Sequence, residues 1–218
     1  MSDTPQHRVL IALPVTKNCT ADIRTIQWAD RLAWQPGATD LDVEFLWSAS
    51  DACQRGRNTI IEVAYGMEDW PFTHICTLDT DLVPQKGMLD TLIAHDKDVV
   101  GGCYPCRIAG IHMWSFKLWG EGEWWHGGDP RIELADMLGY PLLRVECLAG
   151  GVVLSRRKVF DAIGWPWHNT IYQPMDDQKR SVEISEDVWF CKRAIEQGFE
   201  LYVDVSCTTD HFNTVALP

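Results

Sequence analysis

Apolar residues in the first half of the chain fall into short continuous runs that alternate with segments of helical periodicity. Continuous runs of aliphatic and β-branched residues are typical of strands buried on both faces of a mainly parallel sheet. Such strands are expected at 8–15, 43–47, 74–78 and 98–102. Helices are expected between them, at about 21–34, 52–65 and 86–94. The alternation of the two elements predicts an α/β fold, a Rossmann-type sheet flanked by helices.

The second half begins less regularly. Between 111 and 144, Trp- and Gly-rich segments predict strands joined by a mobile loop. Regular patterns return with a strand at 151–154, helices at about 158–163 and 186–197, and a strand at 200–205. The chain has 218 residues, of which 46% are hydrophobic, and no internal repeat. We therefore expect one domain around one core.

Composition and charge argue against several classes of protein. No run approaches the roughly 18 apolar residues of a membrane span, and the polar start lacks the apolar centre of a signal peptide. We therefore expect a cytoplasmic protein without membrane contact, and nothing in the sequence indicates an obligate protein partner. The eight cysteines are scattered, which favours reduced thiols. The net charge of −12 argues against an extended nucleic-acid groove, although local contact with nucleic acid stays open.

The motif Asp-x-Asp occurs three times, so position must separate the copies. The first and third precede their predicted strands, whereas Asp79-Thr80-Asp81 follows the strand at 74–78, at the end where open α/β sheets bind ligands. If that strand continues through Asp81, both carboxylates lie on one face, about 6.6 Å apart, and can address one divalent cation or its ligands. A polar turn before Pro84 is an equally good explanation of the local sequence.

A second acidic pair opens the helix near the carboxyl terminus. Ser185 stands at the predicted N-cap, and Glu186 and Asp187 occupy the first turn. Acidic side chains stabilise a helix N-terminus through the macrodipole, which explains the pair without chemistry. Alternatively, one carboxylate points into the cleft and takes a proton from an acceptor hydroxyl as a general base.

Taken in order, these segments resemble the metal-dependent glycosyltransferases of the GT-A fold, especially compact phage and bacterial family-2-like members. The resemblance covers most of the chain. Each motif is short and weak alone, and the signal lies in their order and spacing. The motifs are VLIALPVT (9–16), GRNTI (56–60), TLDTD (77–81), DVVGGCYP (98–105), AGGVVL (149–154), SEDVWFC (185–191) and GFELYVD (198–204), followed by His211.

The resemblance implies a donor site for a nucleotide sugar, expected to be a UDP-sugar, built mainly by residues 7–105. Pro14, Val15 and Thr16 are then expected to line the nucleotide base, with Arg57 and Asn58 near the nucleotide. Gly150 and Gly151 are expected to let the backbone approach the donor sugar, because glycine has no Cβ. A simple turn before a strand explains the two glycines equally well.

The resemblance also implies a divalent cation and a catalytic base. Asp81 is expected to bind the metal directly, Asp79 to contact the ribose or a metal-bound water, and His211 to complete the site. An imidazole ligand favours Mn²⁺ over Mg²⁺. Asp187 is the candidate base of an inverting transfer, with Glu186 beside it in the acceptor half at 106–218, and a retaining outcome stays open.

The acceptor is the least determined part of the prediction. Trp124 and Trp125 in the Gly-rich loop are candidates to cover a sugar face, and Lys179 and Arg180 lie just before the proposed base. The acceptor is expected to be a hydroxyl on a glycan or protein, or a hydroxymethylated base in phage DNA. If the chain is phage-encoded, it is expected to act in the host cytoplasm.

Three other classes remain as alternatives. A nucleotidyltransferase of similar layout usually has a Gly-rich basic loop after its first strand, which is absent here, and a non-catalytic carbohydrate- or nucleotide-binding module would keep the scaffold without turnover. A zinc protein would have to use Cys103 and Cys106, a single pair without a second. The chain also lacks the glycine-lysine loop of P-loop NTPases.

Overall fold

A mixed β-sheet with helices on both faces forms the centre of the structure, a computed structural model that describes residues 7–16, 21–34, 41–108, 111–118, 139–174 and 181–212. The described strands are β1 (His7–Thr16), β2 (Leu41–Ser50), β3 (His74–Leu78), β4 (Leu82–Pro84), β5 (Val99–Cys103), β6 (Pro105–Ile108), β7 (Ile111–Trp114), β8 (Phe116–Leu118), β9 (Leu142–Leu148), β10 (Val152–Arg156), β11 (Ile171–Pro174), β12 (Ser181–Ile184) and β13 (Leu201–His211). The described helices are α1 (Ile23–Trp34), α2 (Cys53–Tyr65), α3 (Met88–Ala94), α4 (Arg157–Ile163) and α5 (Glu186–Glu196).

The strand order of the main sheet is β2-β1-β3-β10-β5-β13-β9-β8, with β4 on β13. Strands β2, β1, β3, β5 and β13 run parallel to one another, whereas β10 and β9 run antiparallel to their neighbours. The order brings the two halves of the sequence together, because β10 lies between β3 and β5. The hairpins β6–β7 and β11–β12 stand outside the main sheet. The architecture confirms the predicted α/β class and is consistent with a Rossmann-like GT-A fold.

Strand β1 explains why continuous apolar runs were good predictors here. Leu10 and Ala12 pack into one core with α2, α4 and α5, whereas Val9, Ile11 and Leu13 pack into a second core with α1 and α3. All five are at most 2% exposed. Since both faces are covered, both sets of alternating positions must be apolar. Truncating Leu10, Ile11 or Leu13 to alanine is expected to cost about 2–5 kcal/mol of stability.

Two strand ends differ from the sequence-based expectation. β3 ends at Leu78, and the amide of Leu82 donates to the carbonyl of Asp79 at 3.2 Å, so 79–82 is a turn. The idea that strand conformation persists through Asp81 is therefore wrong. The last strand is longer than expected and reaches His211, with an irregularity between Asp204 and Thr208.

The remaining general expectations can be checked only in part. Cys53, Cys76, Cys147, Cys191 and Cys207 are free thiols. Within the described ranges, no helix is long and apolar enough to cross a membrane. Most of the Gly-rich loop expected between 111 and 144 lies outside the described residues, since 119–138 is not among them.

Candidate active site

A buried arginine stands at the centre of the polar residues beyond the carboxyl end of β3. Arg57, on α2, is 2% exposed, and its Nη2 donates to Asp79 Oδ1 at 2.9 Å. Its Nη1 donates to Glu186 Oε1 at 3.2 Å. Burial by itself lowers the pKa of Arg57, but the charges of Asp79, Cys53 and Glu186 raise it above its ordinary value. A permanently charged guanidinium therefore links the turn after β3 to the first turn of α5.

The two glycines before β10 make room for two other side chains. A Cβ on Gly150 would overlap with Nη1 of Arg57 and lie 2.6 Å from its Cζ and Nη2. A Cβ on Gly151 would overlap with the hydroxyl of Tyr104 and lie 2.5 Å from Leu82 Cδ1. The glycines therefore admit Arg57 and Tyr104, and their contact with a donor sugar stays a prediction. The Gly151 amide donates to the Tyr104 hydroxyl at 2.9 Å, which holds this segment in place.

Asp187 is held mainly through one of its two carboxylate oxygens. Its Oδ1 accepts the Val188 amide at 2.8 Å and a hydrogen bond from the Ser185 hydroxyl. Within the described part of the chain, its Oδ2 accepts one long contact, 3.4 Å, from the Gly150 amide. Ser185 is the N-cap residue, as predicted, but its hydroxyl binds this carboxylate instead of a backbone amide. The arrangement fixes the carboxylate and turns Oδ2 toward Gly150.

Asp81 and His211 form a second polar pair. His211 Nε2 lies 3.2 Å from Asp81 Oδ2, and Nδ1 lies 2.8 Å from the Pro105 carbonyl oxygen. The backbone fixes both residues, because β13 pairs His211 with Leu82 and the Phe212 amide donates to the Asp81 carbonyl at 2.9 Å. The two residues that the sequence assigned to a metal are thus brought together, although 130 positions separate them.

The geometry of this pair fits a divalent cation. When the Nδ1–H of His211 donates to Pro105, the neutral ring presents its Nε2 lone pair to Asp81, and the outer hydrogen bond orients a metal-binding histidine in this way. Two cis ligands at about 2.2 Å from one ion lie about 3.1 Å apart, close to the observed separation. Among the described residues no group of three or more His, Cys, Asp or Glu side chains converges on one point, so a cation at this pair would have two described protein ligands.

Asp79 does not join this pair, since its carboxylate is bound by Arg57. The expectation that both aspartates of the motif face one ion from a single strand face is therefore corrected. Because the turn begins at Asp79, the two side chains leave the backbone in different local conformations and meet different partners. Asp79 is 36% exposed at its side chain, so it remains accessible to a ligand.

The predicted nucleotide-binding residues lie at two places. Pro14, Val15 and Thr16 end β1 beside Ser48, Ala49 and Ser50 of β2, and the side chain of Thr16 is outside the described part. Asn58 binds the backbone of His168 at both ends of its amide, with Nδ2 donating to the carbonyl at 2.8 Å and Oδ1 accepting the amide at 3.0 Å. Asn58 thus fixes the loop after α4, and its contact with a nucleotide stays a prediction.

His168 is a site residue that the sequence analysis missed. It is buried and stacks on Phe190 with ring centroids 5.0 Å apart, and its Nε2 has no hydrogen-bond partner among the described residues. Burial, then the charge of Arg57, lowers its pKa to about 3. It lines a narrow pocket with Asp187 and Gly150 that has room for about one water molecule. No local pattern marks this histidine, because its partners are distant in sequence.

The proposed acceptor residues Trp124, Trp125, Lys179 and Arg180 all lie outside the described residues. The third Asp-x-Asp copy is separate from the site, and in the first copy Asp42 pairs with Arg8, whereas Asp40 lies outside the described residues. Asp96 and Asp98 pair with Arg156 at the amino end of β5.

Comparisons with known proteins inform the fold. No protein-family model and no curated protein sequence matches the chain. The A197 protein of STIV is similar in structure, with a TM-score of 0.60 and 16% identity over 94% of this chain and 86% of that one. The structure of GalNAc-T7 with UDP, GalNAc and Mn²⁺ aligns with a TM-score of 0.49 and 10% identity, over 95% of this chain and 44% of that one. The chain spans less than half of GalNAc-T7, and at these identities the likeness concerns the fold alone.

Proposed function

We propose that the protein is a metal-dependent glycosyltransferase that moves a sugar from a nucleotide sugar, a UDP-sugar, onto an acceptor hydroxyl with inversion. The observation that carries the proposal is the contact of Arg57 with Asp79 on one side and Glu186 on the other. It joins the turn that follows the donor-side strand to the helix that bears Asp187. A single-displacement transfer needs the donor sugar and the catalytic base at one reacting carbon.

Asp187 is the proposed general base. The acceptor hydroxyl transfers its proton to Oδ2, while its oxygen forms a bond to the anomeric carbon and the bond from that carbon to the diphosphate oxygen breaks. The nucleoside diphosphate leaves with the electron pair of that bond. Ser185 and the Val188 amide hold Oδ1, so the orientation of Oδ2 is set before the acceptor arrives.

Asp81 and His211 are the proposed ligands of Mn²⁺ or Mg²⁺. When bound, the cation stabilises the charge of the departing diphosphate. The surrounding carboxylates make a cation important, because an anionic donor otherwise meets Asp79, Asp81 and Asp187. Residues 7–105 then form the donor half, and residues 106–218 the acceptor half.

The test is a mass-spectrometric screen of the purified protein with Mn²⁺, a panel of nucleotide sugars, and glycan, peptide and hydroxymethylcytosine-DNA acceptors. We expect sugar transfer or donor hydrolysis in the wild type, loss of both with EDTA, and loss of transfer in Asp187→Asn. Asp30→Asn is the matched control, since Asp30 is exposed on α1. Donor binding without any turnover would instead support a binding module, and pyrophosphate release from nucleoside triphosphates would support a nucleotidyltransferase.

A further inference from the structure

The hairpin β11–β12 presents an exposed aromatic ring directly before α5. Tyr172 pairs with Glu183 across the hairpin and is 67% exposed. Its hydroxyl donates to Glu183 Oε2 at 3.2 Å. The neighbouring pair, Ile171 and Ile184, points the opposite way, and Ile184 is buried. The tyrosine ring is therefore tethered at its polar end and open to solvent on its face.

The hairpin leads straight to the proposed base. β12 ends at Ile184, and Ser185 follows it as the N-cap residue of α5. Ser185 keeps an extended backbone, with φ −66° and ψ 163°, and lies two residues beyond Glu183, about 6.6 Å by the strand rise. Its hydroxyl binds Asp187. Tyr172 and Glu183 are therefore close in the chain to Asp187, and Ser185, the residue between β12 and α5, contacts that carboxylate.

We propose that Tyr172 and Glu183 form an acceptor subsite that binds a neutral sugar unit next to Asp187. This inference rests on the proposed function and names its acceptor class. A flat ring covers the C–H face of a pyranose, and an adjacent carboxylate accepts hydrogen bonds from its hydroxyls. The charge of Glu183, then its hydrogen bond, raises the pKa of Tyr172, so the phenol keeps its proton and holds the ring on Glu183.

The charges of the described residues around this hairpin favour a neutral acceptor. Glu183 is on β12, and Glu186 and Asp187 are in the first turn of the helix that follows it. Among the described residues, the cation near them, Arg57, is bound by Asp79 and Glu186. Phosphates of DNA bind through Lys and Arg, and they are repelled by carboxylates. A neutral glycan meets no such repulsion and uses the carboxylates as hydrogen-bond acceptors.

The first measurement is direct binding, which does not need turnover. Saturation-transfer NMR of the wild type with lactose, maltose, cellobiose and chitobiose is compared with the same spectra of Tyr172→Ala. We expect binding of at least one disaccharide, weakened about 3- to 10-fold without the ring. Tyr202→Phe is the matched control, because Tyr202 makes the same phenol contact to Glu200, at 2.7 Å, at the other end of the sheet. Binding of no disaccharide, or equal binding by Tyr172→Ala with unchanged melting temperature, overturns the inference.

The second measurement separates this inference from the proposed function. In the wild type and in Tyr172→Ala, donor hydrolysis without acceptor is measured beside transfer to the disaccharide that binds. We expect hydrolysis to stay equal while the acceptor KM rises about 3- to 10-fold in the variant. Hydrolysis with transfer only to DNA, or with an unchanged acceptor KM, refutes the subsite but leaves the glycosyltransferase intact. Sugar binding without hydrolysis or transfer refutes the proposed function instead.

Discussion

Replacing Gly150 by alanine provides a sharp test of the site geometry. The new Cβ would overlap with the Arg57 guanidinium, which is 2% exposed and bound on both sides. The guanidinium lies between backbone on one side and its two ion pairs on the other, so it cannot avoid the new Cβ by a small shift. We therefore expect Gly150→Ala to push Arg57 out of both contacts and to separate the turn at Asp79 from α5.

The size of the effect follows from what Arg57 loses. Each hydrogen bond to a charged partner contributes about 1.5–3 kcal/mol. Asp79 and Glu186 are 36% and 16% exposed at their side chains, so water recovers part of this loss. We expect a loss of about 3–4 kcal/mol in the free energy of unfolding. For a chain of this size that corresponds to a fall in Tm of about 6–16 °C.

The assay is a double-mutant cycle in urea and thermal unfolding. Arg57→Ala removes the atoms that the new Cβ would meet, so Gly150→Ala should cost under about 0.5 kcal/mol in that background. Gly139→Ala is the control, since a Cβ there meets nothing within 4 Å. Equal costs of Gly150→Ala with and without Arg57, or a cost no larger than that of Gly139→Ala, would refute the reasoning.

Three further predictions concern single residues. The pKa of His168 is about 3 when folded and about 6.5 when unfolded, so only the unfolded chain gains its proton between these values. The titration of His168 therefore leaves the free energy of unfolding unaffected above pH 6.5 and lowers it below that pH, by roughly 2 kcal/mol at pH 5. In urea unfolding, the free energy of unfolding of His168→Gln should fall less steeply with decreasing pH than that of the wild type. An unchanged slope contradicts this. Asn58→Ala should lower the free energy of unfolding by about 1–3 kcal/mol, because it removes two hydrogen bonds to the His168 backbone. Nucleotide affinity, measured by calorimetry, should stay within twofold. A loss of nucleotide affinity without a loss of stability would instead indicate that Asn58 binds the nucleotide. Asp81→Asn should weaken Mn²⁺ binding at least about tenfold in electron paramagnetic resonance titrations, whereas an unchanged affinity places the metal elsewhere.

The fold could be predicted from the sequence where burial is reflected in local pattern. Strand β1 needs apolar side chains on both faces, so its run is unbroken, and α5 shows its buried stripe at Phe190, Cys191 and Ala194. The end of β3 could not be predicted. Asp79 leaves the strand conformation at a turn, in which its amide donates to the Gly151 carbonyl at 2.8 Å and its carbonyl accepts the Leu82 amide, and no local pattern specifies the first of these bonds.

In the site, too, some features could be predicted from the sequence and others depend on contacts between distant residues. The resemblance singles out Asp81, His211 and Asp187, and the structure brings Asp81 and His211 into contact, while the roles of all three stay predictions. The ion pairs of Arg57 could not be predicted, because its partners Asp79 and Glu186 lie 22 and 129 positions away in the sequence. The resemblance places Arg57 near a nucleotide, which stays a prediction, and its hydrogen bonds to Asp79 and Glu186 add the part of an internal counterion. Likewise, the space that Gly150 provides is defined by a side chain from α2, which no pattern around Gly150 reveals.

The central claim is that this site transfers a sugar with Asp187 as the base. The most direct measurement is time-resolved proton NMR of the anomeric signals, with Mn²⁺, nucleotide sugar and acceptor, for wild type and Asp187→Asn. The account predicts a product of inverted anomeric configuration, formed at least about 100-fold more slowly by the variant. A wild type that consumes no nucleotide sugar, or an Asp187→Asn variant that transfers at the wild-type rate, would contradict it.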